Sequence, residues 1–226
     1  MAWLGRLFGG PPVALRAARW VVIDCETSGL DAARDRLLAI GAVVVRGGRI
    51  ALEESFSAVL RQEFGSDVQD AESGVQDVEI DVANILVHGI GVDAQRNGRP
   101  FAETLVEFAD YLGDGLPVAF HAPFDDAVLR RAMTAQAKAG WTWLDLAQLA
   151  PALYPGAAPA KGARRALDDW LAEFGIACPE RHDALADAYA TAQLLLVLLA
   201  EAERQGAGTV DALRRLERSG RWVGTG

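Results

Sequence analysis

The stretch Trp20-Val21-Val22-Ile23-Asp24-Cys25-Glu26-Thr27-Ser28-Gly29-Leu30 decides how the rest of the chain is read. Its first four residues are aromatic or β-branched and uncharged, which suits a strand buried on both faces. Asp24 and Glu26 follow one residue apart, and Thr27-Ser28-Gly29 reads as a turn. Side chains alternate along a strand, so positions i and i+2 share a face about 6–7 Å apart. Asp24 and Glu26 therefore point one way from the end of a buried strand, while Cys25 points the other way as a core residue. Two carboxylates in a largely dry place repel each other unless a cation joins them. Oxygen-only ligands favour Mg²⁺ or Mn²⁺.

Working outward, residues 37–45 (LLAIGAVVV) and 50–60 (IALEESFSAVL) are strand-like, and Arg46-Gly47-Gly48-Arg49 between them has hairpin chemistry. The chain should open as a three-stranded meander. Residues 61–74 read as a mobile polar loop and 81–87 as a short helix. Residues 100–112 have apolar side chains at helical spacing (Phe101, Leu105, Phe108, Leu112), which predicts an amphipathic helix packed on the sheet. Short strands are expected at 116–120 and 141–144, and helices from 121 to about 139, at 145–153, at 164–174 and from His182 onward. This alternation predicts an α/β fold, a mixed central sheet with helices on both faces.

The 226 residues are half hydrophobic, enough for one domain with a substantial core. We divide them into an N-terminal arm (1–18), a main domain (19–204) and a basic tail (205–226) with Arg214, Arg215, Arg218 and Arg221. The net charge of −9 argues against broad attraction to nucleic acid or anionic membrane. It leaves room for a nucleic-acid enzyme, because bound metal ions reverse the local sign. Two cysteines, Cys25 and Cys178, are too few for a disulfide framework, so a reducing cytoplasm is expected. The opening residues are too short for a signal-peptide core, and the apolar run 184–202 contains Asp187, Gln193 and Glu201, so a buried core helix is expected there and no membrane partner.

Acidic residues stand at the ends of buried elements in three places. The first is Asp24 and Glu26; the second is Asp125 or its neighbour Asp126; the third is Asp187, five residues after His182. Sites in α/β sheets gather where strands end and helices begin, so the three can meet. Four carboxylates can hold two divalent ions about 3.5–4 Å apart, as in enzymes that cut phosphodiesters. A histidine at the rim is suited to take a proton from the attacking water.

At these residues the chain resembles a known family. DCETSGL followed by LLAIGAV is similar to the first motif of the DEDD exonuclease superfamily. HAPFD (121–125) resembles the second, and RHDALADA (181–188) the third, with the His-x-x-x-x-Asp spacing of the DEDDh branch. LVHGI (86–90) and WTWLDLAQLA (141–150) also resemble segments of that branch, whose nearest members are proofreading subunits of bacterial replicative polymerases and their stand-alone homologues. The resemblance runs over about residues 20–204. It implies a ribonuclease H-like three-layer sandwich and metal-dependent 3′→5′ removal of nucleoside monophosphates. It also implies Asp24, Glu26, Asp125 and Asp187 as metal ligands, Asp24 bridging two Mg²⁺ or Mn²⁺ ions, and His182 as general base. Thr27, Leu30, His121 and Phe124, near the motifs, are candidates for substrate contact, and the basic residues Lys161, Arg164 and Arg165 for substrate phosphates.

The chain departs from the pattern at Ala122, where Asn is common, at Pro123 after it, and at Leu146, where Thr is often found. That Asn is not a metal ligand, so the change bears on substrate positioning. The expected substrate is a single-stranded DNA 3′ end in preference to RNA. The rivals are an exoribonuclease, a polymerase-associated proofreader, which the short tail does not favour, and a non-catalytic nucleic-acid-binding module. The full set Asp24, Glu26, Asp125, His182 and Asp187 speaks against the last.

Overall fold

The computed structural model describes residues 12–64, 82–133, 141–157 and 165–223. Strands β1 (Trp20–Thr27), β2 (Leu37–Arg46) and β3 (Arg49–Val59) form the expected antiparallel meander. Gly47 and Gly48 close its hairpin at φ 60° and 77°, the left-handed values that a two-residue turn of this kind requires. Strands β4 (Leu116–Ala119) and β5 (Leu144–Asp145) add on the far side of β1 in parallel, giving the order β3-β2-β1-β4-β5. The helices are α1 (Val82–His88), α2 (Val92–Arg96), α3 (Phe101–Leu112), α4 (Ala122–Ala132), α5 (Leu146–Leu153), α6 (Leu167–Glu173), α7 (Ala184–Arg204) and α8 (Val210–Val223).

The alternation of β1 sorts these helices into layers. Val21 and Ile23 pack with Leu105 and Phe108 of α3 and Val128 and Leu129 of α4. Trp20 and Val22 face the other way, into a core with Leu149 of α5, Trp170 of α6 and Leu195 and Leu198 of α7. The result is the three-layer α/β sandwich expected from the sequence. Helix α7 is long and apolar enough to cross a membrane by length and composition, but its apolar stripe packs on β1 and β2. Gly41 sets how closely it packs. A Cβ at that position would lie 2.1 Å from the main-chain carbon of Ala184, so only glycine lets the first turn of α7 rest on β2. Gly41 is the register partner of Asp24, which aims the start of α7 at the end of β1.

Several boundaries differ from the sequence reading. The strand expected at 141–144 is reduced to Leu144 and Asp145, because arginine side chains take the carbonyls before it. Arg130 Nη2 donates to Trp141 O at 3.3 Å and Arg214 Nη2 to Thr142 O at 3.1 Å. His182 does not begin α7: it has φ 65°, and Asp183 is the N-cap, its side chain accepting from Ala186 N–H at 2.9 Å. Residues 210–223, read as part of a basic tail, form α8 against α5, and Gly220 lets the two helices touch at Gln148 O. The arm reaches the same region: Leu15 N–H donates to Gly208 O (3.1 Å) and Val210 N–H to Val13 O (2.9 Å). The helix expected from residue 121 ends at Ala132, and the expectations for residues 1–11, 65–81, 134–140, Lys161 and Arg164 lie outside the described residues.

Candidate active site

Asp24 and Glu26 lie on the α7 side of β1, as strand alternation predicts. Asp187 sits in the first turn of α7, above Gly41, and is buried. Carboxylate oxygens of Asp24, Glu26 and Asp187 all lie within 4.8 Å of one another. Asp125, also buried, comes from the first turn of α4 on the other face and borders this group. Its Oδ1 accepts the N–H of Cys25 at 3.1 Å, so the acid is fastened to the backbone between Asp24 and Glu26. Asp126 points away into an ion pair with Arg130 at 2.8 Å. Of the two neighbours, Asp125 is the one that faces the site.

The turns before α4 and α7 are alike. His121 and His182 are the non-glycine residues with positive φ among those described, at 68° and 65°. Such a conformation is uncommon, and it is tolerated best by Asn, Asp and His. Asp145 Oδ1 accepts the N–H of His121 at 3.1 Å and that of Ala147 at 3.0 Å, so one buried carboxylate anchors the turn into α4 and caps α5. Ala122 is buried and Pro123 stands in the first turn of α4, where a missing N–H costs nothing. At the second turn, Asp187 Oδ2 accepts the N–H of His182 at 3.0 Å. This leaves the His182 side chain exposed at the rim. His88 is buried beside it, with Nδ1 accepting Ile90 N–H at 3.0 Å and Nε2 without a hydrogen-bond partner among the described residues.

The remaining candidates scatter around this centre. Leu30 is 94% exposed at the tip of the turn after β1. Thr27 is buried and its hydroxyl donates to Gly29 O at 2.6 Å, so its polar group is occupied by the turn. Phe124 is partly buried against the core on the α3–α4 face. Arg165 lies over the Trp170 ring, 4.5 Å from its centroid, and pairs with Glu173, so it serves α6.

Burial dominates the electrostatics, with the crowding of negative charge behind it. Burial, then Asp125, Asp187 and Glu26, push the Asp24 carboxyl well above its ordinary range. Burial, then Asp187 and Asp183, raise Glu26 to about 7. Burial raises Asp125 to about 7 against the hydrogen bonds from Cys25 that favour its ionised form. Among the described residues, Arg181 works against this trend at Asp24 and Glu26; it forms an ion pair with Asp187 and donates from Nε to Asp168 Oδ1 at 2.5 Å. Carboxylates this close, compensated by one guanidinium, fit a divalent cation, and their hard oxygens fit Mg²⁺ or Mn²⁺. The sequence reading had no role for Arg181, Asp168, Asp145 or Cys178, whose thiol lies 3.4 Å from Asp187 Oδ1.

Residues 21–195 match a protein-family model described as an exonuclease. The chain is 28% identical over 202 residues to the PolC-type DNA polymerase III of Thermotoga maritima, covering 88% of this chain and 13% of that protein. It is likewise 28% identical over 214 residues to the Bacillus subtilis PolC-type DNA polymerase III, covering 90% of the chain and 13% of the relative. Among solved structures, E. coli exonuclease I in complex with a dT13 oligonucleotide aligns with a TM-score of 0.66 at 19% identity, over 83% of this chain and 42% of that one. Cell-death related nuclease 4 aligns with a TM-score of 0.64 at 14% identity, over 82% of this chain and 64% of that one. These structures share the ribonuclease H-like sandwich described above.

Proposed function

The chain belongs to this exonuclease family, and on that premise we propose that it is a metal-dependent 3′→5′ exonuclease acting on single-stranded DNA. The observation that carries this reading is the meeting of Asp24, Glu26 and Asp187 within 4.8 Å, with Asp125 fastened beside them. Asp24, Glu26, Asp187 and Asp125 would hold two Mg²⁺ or Mn²⁺ ions. When bound, the ions supply Lewis-acid stabilisation of the charge that develops on the phosphate and its leaving oxygen. The protein's own groups do the rest. His182, exposed at the rim on a backbone turned by its contact with Asp187, takes the proton of the attacking water. The Cys25 and His182 amides hold Asp125 and Asp187 in place through the reaction. The products are nucleoside 5′-monophosphates.

The preference for single-stranded DNA is supported by the dT13 oligonucleotide bound to exonuclease I, a protein of the same fold. A second reading, a proofreading unit working beside a polymerase, is supported by the PolC-type relatives, of whose length the chain spans 13%. Digestion of 5′-labelled and 3′-labelled single-stranded DNA with Mg²⁺ or Mn²⁺, with EDTA, and with Asp24→Ala tests the reading. The expected result is a metal-dependent ladder from the 5′ label and immediate release of the 3′ label as a mononucleotide. Faster digestion of matched RNA would move the substrate to RNA, and no digestion of either by folded, metal-loaded protein would sink the exonuclease reading.

A further inference from the structure

Arg181 touches two carboxylates with different duties. Its Nε donates to Asp168 Oδ1 on α6, which is mostly exposed, and its Nη1 stands against Asp187 Oδ1 in the acidic centre. The two contacts differ in setting: the Asp168 carboxylate is mostly exposed, whereas Nη1 meets a buried carboxylate at Asp187. The other oxygen of Asp187 is held independently by the His182 amide, so the carboxylate keeps its place if the guanidinium leaves. Arginine cannot give up its proton in this range, so its charge leaves the site only by movement. A divalent ion coordinated by that Asp187 oxygen and the guanidinium now against it exclude each other by charge and by space.

We infer that Arg181 is a tethered counter-cation of the acidic centre, which neutralises Asp187 in the metal-free protein and withdraws onto Asp168 when a divalent ion is taken up. This rests on the proposed role of Asp24, Glu26 and Asp187 in holding metal. Asp168 is the anchor that makes withdrawal cheap, because the guanidinium keeps a charged partner in both positions. The centre thereby avoids bare repulsion when empty, at the cost of weaker metal binding.

The test is Mn²⁺ binding to the full chain, with free ion counted by its electron paramagnetic resonance signal, in wild type, Arg181→Gln, Arg181→Lys and Asp168→Asn. The melting temperature of each metal-free protein is measured alongside. Arg181→Gln removes the competitor and should tighten Mn²⁺ by about fivefold, on the scale of a partly exposed ion pair. Asp168→Asn removes the anchor, leaves Arg181 on Asp187, and should weaken Mn²⁺ by a smaller factor. Arg181→Lys, which keeps the charge, should fall between wild type and Arg181→Gln. The metal-free melting temperature should drop in Arg181→Gln, and its rise on adding Mn²⁺ should exceed that of wild type. If Arg181 only braced Asp187 for the metal, both Arg181→Gln and Asp168→Asn would weaken binding, and that result overturns the inference. So does unchanged affinity in both. Should Arg181→Gln fail to fold without metal, the direction of change in Asp168→Asn decides alone. Absence of Mn²⁺ binding in wild type would overturn both this inference and the metal-centre reading; binding in wild type without the opposite changes overturns only this one.

Discussion

The starts of α4 and α7 solve one problem in two ways. Each places a histidine in the left-handed region and a buried aspartate within five residues after it, and each delivers that aspartate to the end of β1. At α4 the fixation is static. Asp125 accepts from the Cys25 amide of β1, and the turn before it hangs on Asp145. At α7 the aspartate is held by its own turn, through the His182 amide, and faced by a charged side chain from Arg181. The difference teaches that the α4 acid belongs to the sheet, while the α7 acid sits where charge can be exchanged.

The strongest way to break this comparison is to remove the acids. Asp24→Ala, Asp125→Ala and Asp187→Ala should each lower the rate of single-stranded DNA digestion by about 10³-fold, the weight of several kcal/mol of transition-state stabilisation. Near-normal digestion by Asp125→Ala would reduce α4 to a structural element and leave the α7 side as the whole site. The two histidines come next, since they share a backbone conformation and differ in setting. His182→Ala should cost about 10²-fold or more in rate and lower the melting temperature only slightly, since the side chain is exposed and the cost is that of alanine at φ 65°. His121→Ala should change the rate little; an equal loss in both would mean that the turns matter and the His182 imidazole does not.

A smaller effect is expected from Gly41→Ala, which pushes α7 alone. The added methyl should destabilise the fold by about 1–3 kcal/mol through overpacking and slow digestion by displacing Asp187, with Asp125 untouched. Thermal denaturation beside the digestion assay reads both, and a fully active, fully stable variant would show that α7 does not depend on that close approach. The last effect, on stability alone, is a pH dependence of the metal-free protein. Glu26 and Asp125 titrate near 7 when folded, against ordinary values near 4 when unfolded, so the folded state keeps protons that the unfolded chain has lost. Stability is therefore fully present below about pH 4 and declines as pH rises through about 7. Melting temperatures without metal should fall by a few degrees between about pH 5 and pH 8, and saturating Mg²⁺ should remove the slope. A melting temperature that climbs over this range without metal would show that the carboxylates are compensated in some other way.

How much of this could be read from residues alone follows from how local each signal is. Asp24 and Glu26 were legible because strand alternation fixes their side of the sheet. The three layers were legible because β1 is apolar at both parities. The choice of Asp125 over Asp126 was legible only through the Phe-Asp of the second motif; its physical cause is a bond to Cys25, a hundred residues away, and Arg130 one turn after Asp126. The strand at 141–144 was overdrawn because distant arginines take its carbonyls, which no local window reveals. Helix α8 is rich in arginine, and what makes it a packed element is the burial of Val210 and Leu213 and its contact with α5, which lies far away in sequence. Arg181 adjoins His182 in sequence, but its setting comes from Asp168, which lies on another helix.

The pairing of residues 13–15 with 208–210 has a mechanical consequence. Two backbone hydrogen bonds and the bond from Trp20 Nε1 to Leu15 O clamp the chain just before β1 begins, at the end of that strand opposite Asp24 and Glu26. A pull on residue 12 loads this clamp first, then the foot of β1 and the helices around Trp20. The acidic centre lies at the other end of the strand, so tension arriving through the N-terminal side is borne before it reaches those carboxylates.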